Sequence, residues 1–354
     1  MKQALFSPSP SLTTRSLVPE NQESPVHFIK NHITPDHLMY RRNHFAYQYV
    51  SKKAFALPVV GEVHQPAVFQ YHDLLSLPAK TLQVVLECAG NKRSYFEPKV
   101  FGEQWKEGAI SEGVWQGVPL RSLLAFTGVK KTAVEVVFDG YDFGTRTNMK
   151  GHFLYARSLP LEKALHPDTI IAYAYNGKPI PYKHGYPLRL IVPQWYAMAS
   201  VKWLQKITVI DHTFQGPFQT VDYVYYPDEE SDSGTPVTHM RVNSIIQYPL
   251  DWGRVNTGVH RIHGLAWSGI GAVTAAEISV NGGHSWHTAS LQSTPEHPYG
   301  WSVWSYAWHA TQTGVYKIMS RALDSAGNAQ PLEAHWNTKG YGYNAVATVN
   351  VKVQ

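Results

Sequence analysis

The chain has 354 residues, 44% of them hydrophobic and 16% charged, with 31 Lys and Arg against 26 Asp and Glu. That is the composition of an ordered globular protein of about two domains, and it excludes a disordered chain. The charge of +5 is mild and no basic run occurs, so nucleic acid is excluded as a partner while a basic pocket for a small anion stays compatible. The single cysteine, Cys88, excludes an intrachain disulfide, zinc or iron–sulfur ligation by several cysteines, and a covalent c-type haem. The content of 11 Trp, 21 Tyr and 26 Gly suits β-rich structure with many turns.

Taken in order, residues 1–25 read as a loosely ordered arm rich in Ser, Pro and Thr. They hold no apolar core segment and no twin-arginine pair, so neither a signal peptide nor a membrane helix is expected. The expected location is the cytoplasm, with no membrane partner. Residues 25–31 read as extended, and Thr34-Pro35-Asp36 as a turn or helix start leading to Arg41, Arg42, Asn43 and His44. By itself the arginine pair reads as solvated surface. A short helix is expected from Tyr71. The apolar run Leu82–Leu86 predicts a buried strand, followed by Cys88, a small-residue turn through Gly90 and Asn91, and the cations Lys92 and Arg93. Neighbouring cations lower a cysteine's pKa, and the thiolate is the form that ligates metals or attacks electrophiles. The alternative is a buried cysteine acting as a small apolar residue.

Further along, Trp105 and Trp115 read as core residues. Val134–Phe138 predicts a strand, Asp139–Asp142 a turn, and Ser158–Leu165 a short helix. Ile170–Tyr175 predicts a strand closed by the hairpin signal Asn176-Gly177. Arg189 borders the apolar run Leu190–Val192, and a cation in that place has an anion to meet. The acidic, Pro-bounded stretch 226–236 marks a domain boundary. Beyond it, short strands recur at 258–267, 273–280, 284–291, 301–308, 314–323 and 345–353. That spacing without helical period predicts an immunoglobulin-like β-sandwich.

Three blocks share one resemblance. Cys88-Ala-Gly-Asn-Lys-Arg93 resembles the Cys-Ala-Gly-Asn-Arg-Arg signature of the sulfite oxidase family of molybdenum enzymes. His184-Gly-Tyr-Pro-Leu-Arg189 resembles its His-Gly-x-Pro-x-Arg, and Ser200-Val201-Lys202-Trp203 its Ser-Val-Lys-Trp. The resemblance covers about residues 35–354. It implies an α+β fold, with a mixed α/β molybdopterin-binding domain over 26–230 and an immunoglobulin-like dimerisation domain over 236–354. It implies molybdenum bound by Cys88, one molybdopterin, and a homodimer. Arg42, Asn43, His44, Asp142, His184, Arg189, Ser200, Val201 and Lys202 fall on positions that hold the pterin. A phosphate wants a guanidinium fork, an ammonium and backbone N–H groups converging on it, in agreement with that set. Arg42, Arg93, Tyr223, Trp105 and Lys339 fall on substrate positions. For Asp142 a plain turn residue is an equal reading.

The implied activity is oxidation of sulfite to sulfate, with electrons passed to a separate acceptor and no haem. One departure bears on it. Trp336-Asn337-Thr338-Lys339-Gly340 carries lysine where the family has arginine, and lysine lacks the bidentate fork. Two other readings therefore stand: the same centre acting on another sulfur compound or reducing an oxidised sulfur group, and a non-enzymatic protein binding through its β-sandwich. Among the 18 histidines, His260 and His263 lie three apart on one strand and point to opposite faces, so they cannot chelate together. His284 and His287 lack a third ligand.

Overall fold

The computed structural model describes residues 10–29, 32–146, 149–228, 230–231, 233–293 and 295–354. Two five-stranded sheets build the first domain. In one, Lys80–Glu87 pairs antiparallel with Ile110–Pro119, which pairs with Ile170–Tyr175, and the latter meets Lys178–Pro179 and Arg189–Ile191. In the other the order is Ala67–Gln70, Ala56–Gly61, Leu204–Ile210, Glu135–Arg146 and Met149–Pro160. Val84, Val85, Leu86 and Glu87 are each at most 1% exposed. A strand covered on both faces reads as a continuous apolar run, which is why this one was legible.

The α-helices among the described residues are Tyr71–Ser76, Leu120–Thr127 and Leu161–Leu165. The expected α+β chain is thus mostly β. Two local expectations change. Asp139–Asp142 is not a turn: the strand Glu135–Arg146 runs through it, with its register against Met149–Pro160 shifting between Asp139 and Phe143. A bulge there bends the strand as a turn would. The helix expected from Ser158 starts at Leu161, because Ser158, Leu159 and Pro160 pair with Val137, Val136 and Glu135.

The arm also differs from expectation. Residues 1–9 lie outside the described residues, as do 30–31 of the extended stretch and 229 and 232 of the boundary. From Thr13 the arm is a hairpin, Thr13–Leu17 with Glu20–Glu23, and Asn21, Glu23 and Ser24 are buried. Its polar groups serve the loop that carries Arg42: Asn43 N donates to Asn21 Oδ1 at 2.7 Å, and Asn43 Nδ2 to Glu20 O at 2.7 Å.

The second domain is a two-sheet sandwich. Asn243–Tyr248, Gly258–Trp267, Ser302–Ala310 and Ser290–Gln292 form one sheet; Gly253–Val255, Ala347–Val353, Gly314–Asp324, Val273–Ser279 and His287–Thr288 form the other. The single strand expected over 284–291 is split, because its two halves join different sheets. The domains share a core: Val237, Ile245, Leu265, Trp267 and Trp301 pack with the apolar residues of the first domain. Burying each such side chain stabilises by roughly 1.5–3 kcal/mol, so the two units are joined by more than the chain. Among the described residues no helix is long and apolar enough to cross a membrane.

Candidate active site

Cys88 follows the strand Lys80–Glu87 and continues its ladder, with Cys88 N donating to Ala109 O at 2.9 Å. The chain then turns back, Asn91 N donating to Cys88 O at 2.8 Å. The Asn91 side chain locks that turn: Nδ2 donates to Glu87 Oε1 and Ala109 N donates to Oδ1, both at 3.0 Å. Lys92 takes φ 63°, and its ammonium leaves the cysteine for the second domain, reaching Asn243 Oδ1 at 2.7 Å and Ser244 O at 2.8 Å. Arg93 folds back into space that only glycine leaves. A β-carbon on Gly90 would stand 2.7 Å from Arg93 Cζ, and one on Gly340 3.0 Å from its Cγ. Arg93 Nε donates to Lys339 O and Nη1 to Glu103 O, each at 3.1 Å.

The electrostatics correct the simple view of the motif. Burial pushes the Cys88 thiol up, and Arg42 and Arg93 draw it down without cancelling that rise. Lys92 is not among the leading influences on the thiol. The left-handed turn sends it elsewhere, and Arg42, 46 residues upstream, takes the place expected for it.

A cavity of about 620 Å³, its mouth included, opens beside Cys88. It is lined from four pieces of chain: Arg42, Asn43 and His44; Asp142 and Tyr155 of the second sheet; His184, Arg189, Ser200 and Lys202; and Tyr223. Lys202 Nζ donates to Arg42 O at 3.0 Å and also to Asn43 Oδ1. Arg189 Nε donates to Ser200 O and Nη1 to His184 O, each at 3.2 Å, while its guanidinium lies 5.2 Å from the Trp115 ring. Burial pushes Lys202 down and Asp142 up, each opposed by the other's charge.

His44 Nε2 and Tyr223 Oη lie 2.8 Å apart. Burial and then the charges of Arg42, Arg146, Lys202 and Arg93 hold His44 well below its ordinary value, so the ring is neutral. Burial holds the Tyr223 phenol well above its ordinary value, and it keeps its proton. For Arg42, burial opposes the charge, but Tyr223 and Cys88 beside it raise its pKa.

Four expected residues stand apart from the cavity lining. Trp105 is fully buried and packs with Cys88, Leu86 and Trp115 in an apolar cluster. Val201 is buried behind Ser200 and contributes a ladder bond, from Leu190 N to its carbonyl at 2.9 Å. Lys339 sends its ammonium to Asp222 Oδ1, 3.9 Å away, an acid that also pairs with Arg146 at 2.6 Å. Arg93 does not line the cavity but acts on the thiol from behind the turn. Sequence reasoning passed over Tyr40, Tyr155 and Met198, which line the cavity. It also passed over Arg157 and Tyr341, which pack on Tyr223.

The donor set defines what fits. Arg42, Arg189 and Lys202 converge on a space whose only lining carboxylate among the described residues is Asp142, and their hydrogen bonds go to carbonyl and amide oxygens and, for Arg42, the His44 ring, none to a carboxylate. Asp142 Oδ1 is buried without a partner. Buried charge is retained where it is paired, so the surplus of cations suits an anionic group, and the orphan carboxylate oxygen suits an N–H donor on it. Cys88 adds one soft sulfur ligand. Among the described residues no cluster of three His, Cys, Asp or Glu could hold a metal, so a soft metal here draws its remaining ligands from a bound organic group. These residues fit molybdenum carried by a phosphorylated dithiolene cofactor.

Comparison with known proteins agrees. Residues 44–218 match the family described as oxidoreductase molybdopterin binding domain, and residues 235–354 the Mo-co oxidoreductase dimerisation domain. The class is therefore a molybdopterin-binding oxidoreductase with a dimerisation domain. The chain is 31% identical to the sulfite oxidase of Arabidopsis thaliana, over 94% of this chain and 91% of that one. It is 32% identical to the mitochondrial sulfite oxidase of Rattus norvegicus over 97% of its own length, and spans 66% of that relative. The crystal structure of the sulfane dehydrogenase SoxCD from Paracoccus pantotrophus superposes with a TM-score of 0.85 at 27% identity, covering 99% of this chain and 92% of that one. The chain belongs to the sulfite oxidase family.

Proposed function

We propose that the chain is a molybdenum–molybdopterin enzyme that oxidises sulfite to sulfate and hands the electrons to a separate acceptor. The observation that carries this is the single cavity joining the Cys88 thiol to Arg42 and Tyr223, and to His184, Arg189, Ser200 and Lys202. In the net reaction water supplies the fourth oxygen, and two protons and two electrons leave. When bound, the molybdenum centre supplies the oxygen transfer and accepts both electrons.

The protein's own residues do the rest. Asp142, His184, Arg189, Ser200, Lys202 and Asn43 hold the cofactor, with the cations meeting its phosphate. Arg42 and Arg93 offset the charge of the dianion beside Cys88. Tyr223 keeps its proton and is a hydrogen-bond donor in that space, and neutral His44 fixes it at 2.8 Å. Burial strengthens each of these interactions, since water is largely kept out. The second domain serves a homodimer.

A second substrate is favoured by one feature. Lys339 pairs with Asp222 and offers no fork to the cavity, which leaves room for a sulfur compound less dependent on a bidentate clamp. The fold shared with a sulfane dehydrogenase supports the same reading.

The test is sulfite-dependent reduction of an artificial acceptor by protein shown to contain molybdenum. Robust turnover, lost in Cys88→Ser with the fold retained, is the expected result. Full activity in Cys88→Ser would overturn the metal assignment. Metal without sulfite turnover would transfer the proposal to another sulfur substrate.

A further inference from the structure

Arg157 is 1% exposed and forms no ion pair with a carboxylate among the described residues. Its Nη1 donates to Phe218 O, and its Nε has no partner. A buried guanidinium without a carboxylate is costly, so what it touches is informative. Phe218 lies in the π-helical turn Pro217–Val221, which leads directly to Tyr223. The Arg157 guanidinium also lies 5.5 Å from the Tyr223 ring. Arg157 therefore holds the segment carrying Tyr223 at two points, its backbone and its ring.

The contacts continue. Tyr223 stacks on Tyr341, centroids 5.2 Å apart and planes 22° apart, and the Arg93 guanidinium lies 5.1 Å from the Tyr341 ring. Arg157, Tyr223, Tyr341 and Arg93 form one run of cation and ring contacts, drawn from the second sheet, the domain junction, the C-terminal loop and the Cys88 turn. Contacts of this kind contribute roughly 0.5–2 kcal/mol each. Tyr223 needs such support, because its φ of 55° is unfavourable for a bulky side chain and persists only where its surroundings over-determine it.

We infer that Arg157 is a positioning residue for Tyr223, and that Tyr341 couples this position to Arg93, so that the phenol and the guanidinium beside Cys88 are set as one unit. The inference rests on the proposed role of Tyr223, but its first test does not require activity. Hydrogen exchange of the purified full chain is compared between wild type and Arg157→Met. Exchange over 217–224 and 338–343 is expected to quicken at least tenfold, with 204–210 unchanged. An unchanged rate over 217–224 would overturn the inference. If Arg157→Met does not fold, Arg157→Lys is read in the same way, since an ammonium cannot bridge the Phe218 carbonyl and the ring as the planar guanidinium does.

The second test uses turnover. Arg157→Met is expected to lower kcat/KM for sulfite at least tenfold with molybdenum content unchanged, yet to change it less than twofold in a Tyr223→Phe background. Multiplicative effects of the two substitutions would show that Arg157 does not act through Tyr223. Tyr341→Phe keeps the stack and is expected to match wild type, while Tyr341→Leu is expected to reproduce the Arg157→Met loss; equal behaviour of these two variants would remove Tyr341 from the unit. Exchange that quickens as expected in a protein without sulfite turnover would support the positioning and fail only the substrate assignment.

Discussion

Glu112 sits in the middle of the strand Ile110–Pro119 at 0% exposure. Its Oε1 accepts from Gln83 Nε2 and its Oε2 from Trp301 N at 3.0 Å, with no cation in either contact. Burial pushes its pKa from 4.5 to about 8, and the two hydrogen bonds only moderate the rise. Between those values the folded state keeps a proton that the unfolded chain has released, so stability falls as pH rises. The contribution is fully present below 4.5 and lost as pH rises through about 8. Integrating the linkage relation between pH 6 and pH 8 gives a loss of roughly 2 kcal/mol from this one group. Glu112→Gln keeps the shape but cannot ionise; its amide nitrogen cannot accept an N–H, so one of the two contacts is lost equally at both pH values. Denaturant unfolding of both proteins at the two pH values should show the variant gaining on wild type by that amount at pH 8 relative to pH 6. Packing differences cancel in this double difference, and so do the other raised carboxyls, Glu87 and Asp142. A double difference within about 0.5 kcal/mol of zero would mean that water or movement relieves the buried charge, and the burial argument would fail.

Lys92→Met removes the ammonium bonded to Asn243 Oδ1 and Ser244 O. It is expected to cost roughly 1–3 kcal/mol in denaturant unfolding; an unchanged midpoint would show that the interdomain tie is dispensable. Lys339→Arg is expected to change the Michaelis constant for sulfite less than threefold, because the side chain is engaged by Asp222. A tenfold fall would show that this position reaches the cavity after all.

What was legible followed from how locally each feature is encoded. Cys88, His184, Arg189, Ser200 and Lys202 lie in contiguous blocks and all five line one cavity, so the motifs led to it. Tyr155 and Arg157 arrive by register. They lie two apart on one face of Met149–Pro160, and nothing near them in the chain says that this face meets the cavity and the Tyr223 ring. Lys92 was misread because a cation's position in sequence does not give its direction. One left-handed residue turned it from the thiol to the second domain. The hairpin from Thr13 was taken for an arm because its residues are polar, yet those polar groups are spent on the backbone and side chain of Asn43.

The position of Lys92 leads to a broader point about the second domain. Dimerisation alone would not require the Cys88 turn to be anchored in the sandwich, but it is. Glu87, the residue before the cysteine, accepts from Trp267 Nε1 at 2.9 Å, and Lys92, four residues after it, bonds Asn243 and Ser244. Gly342 N donates to Ala89 O at 2.8 Å, and Lys339 O takes the Arg93 side chain. A short turn holding the Cys88 thiol and the Arg93 guanidinium has too few contacts of its own to stay fixed. Five bonds from the second domain, placed on both sides of Cys88, supply that rigidity. The sandwich is thus part of the active site's support, and separating the domains would loosen the site even where each half kept its fold.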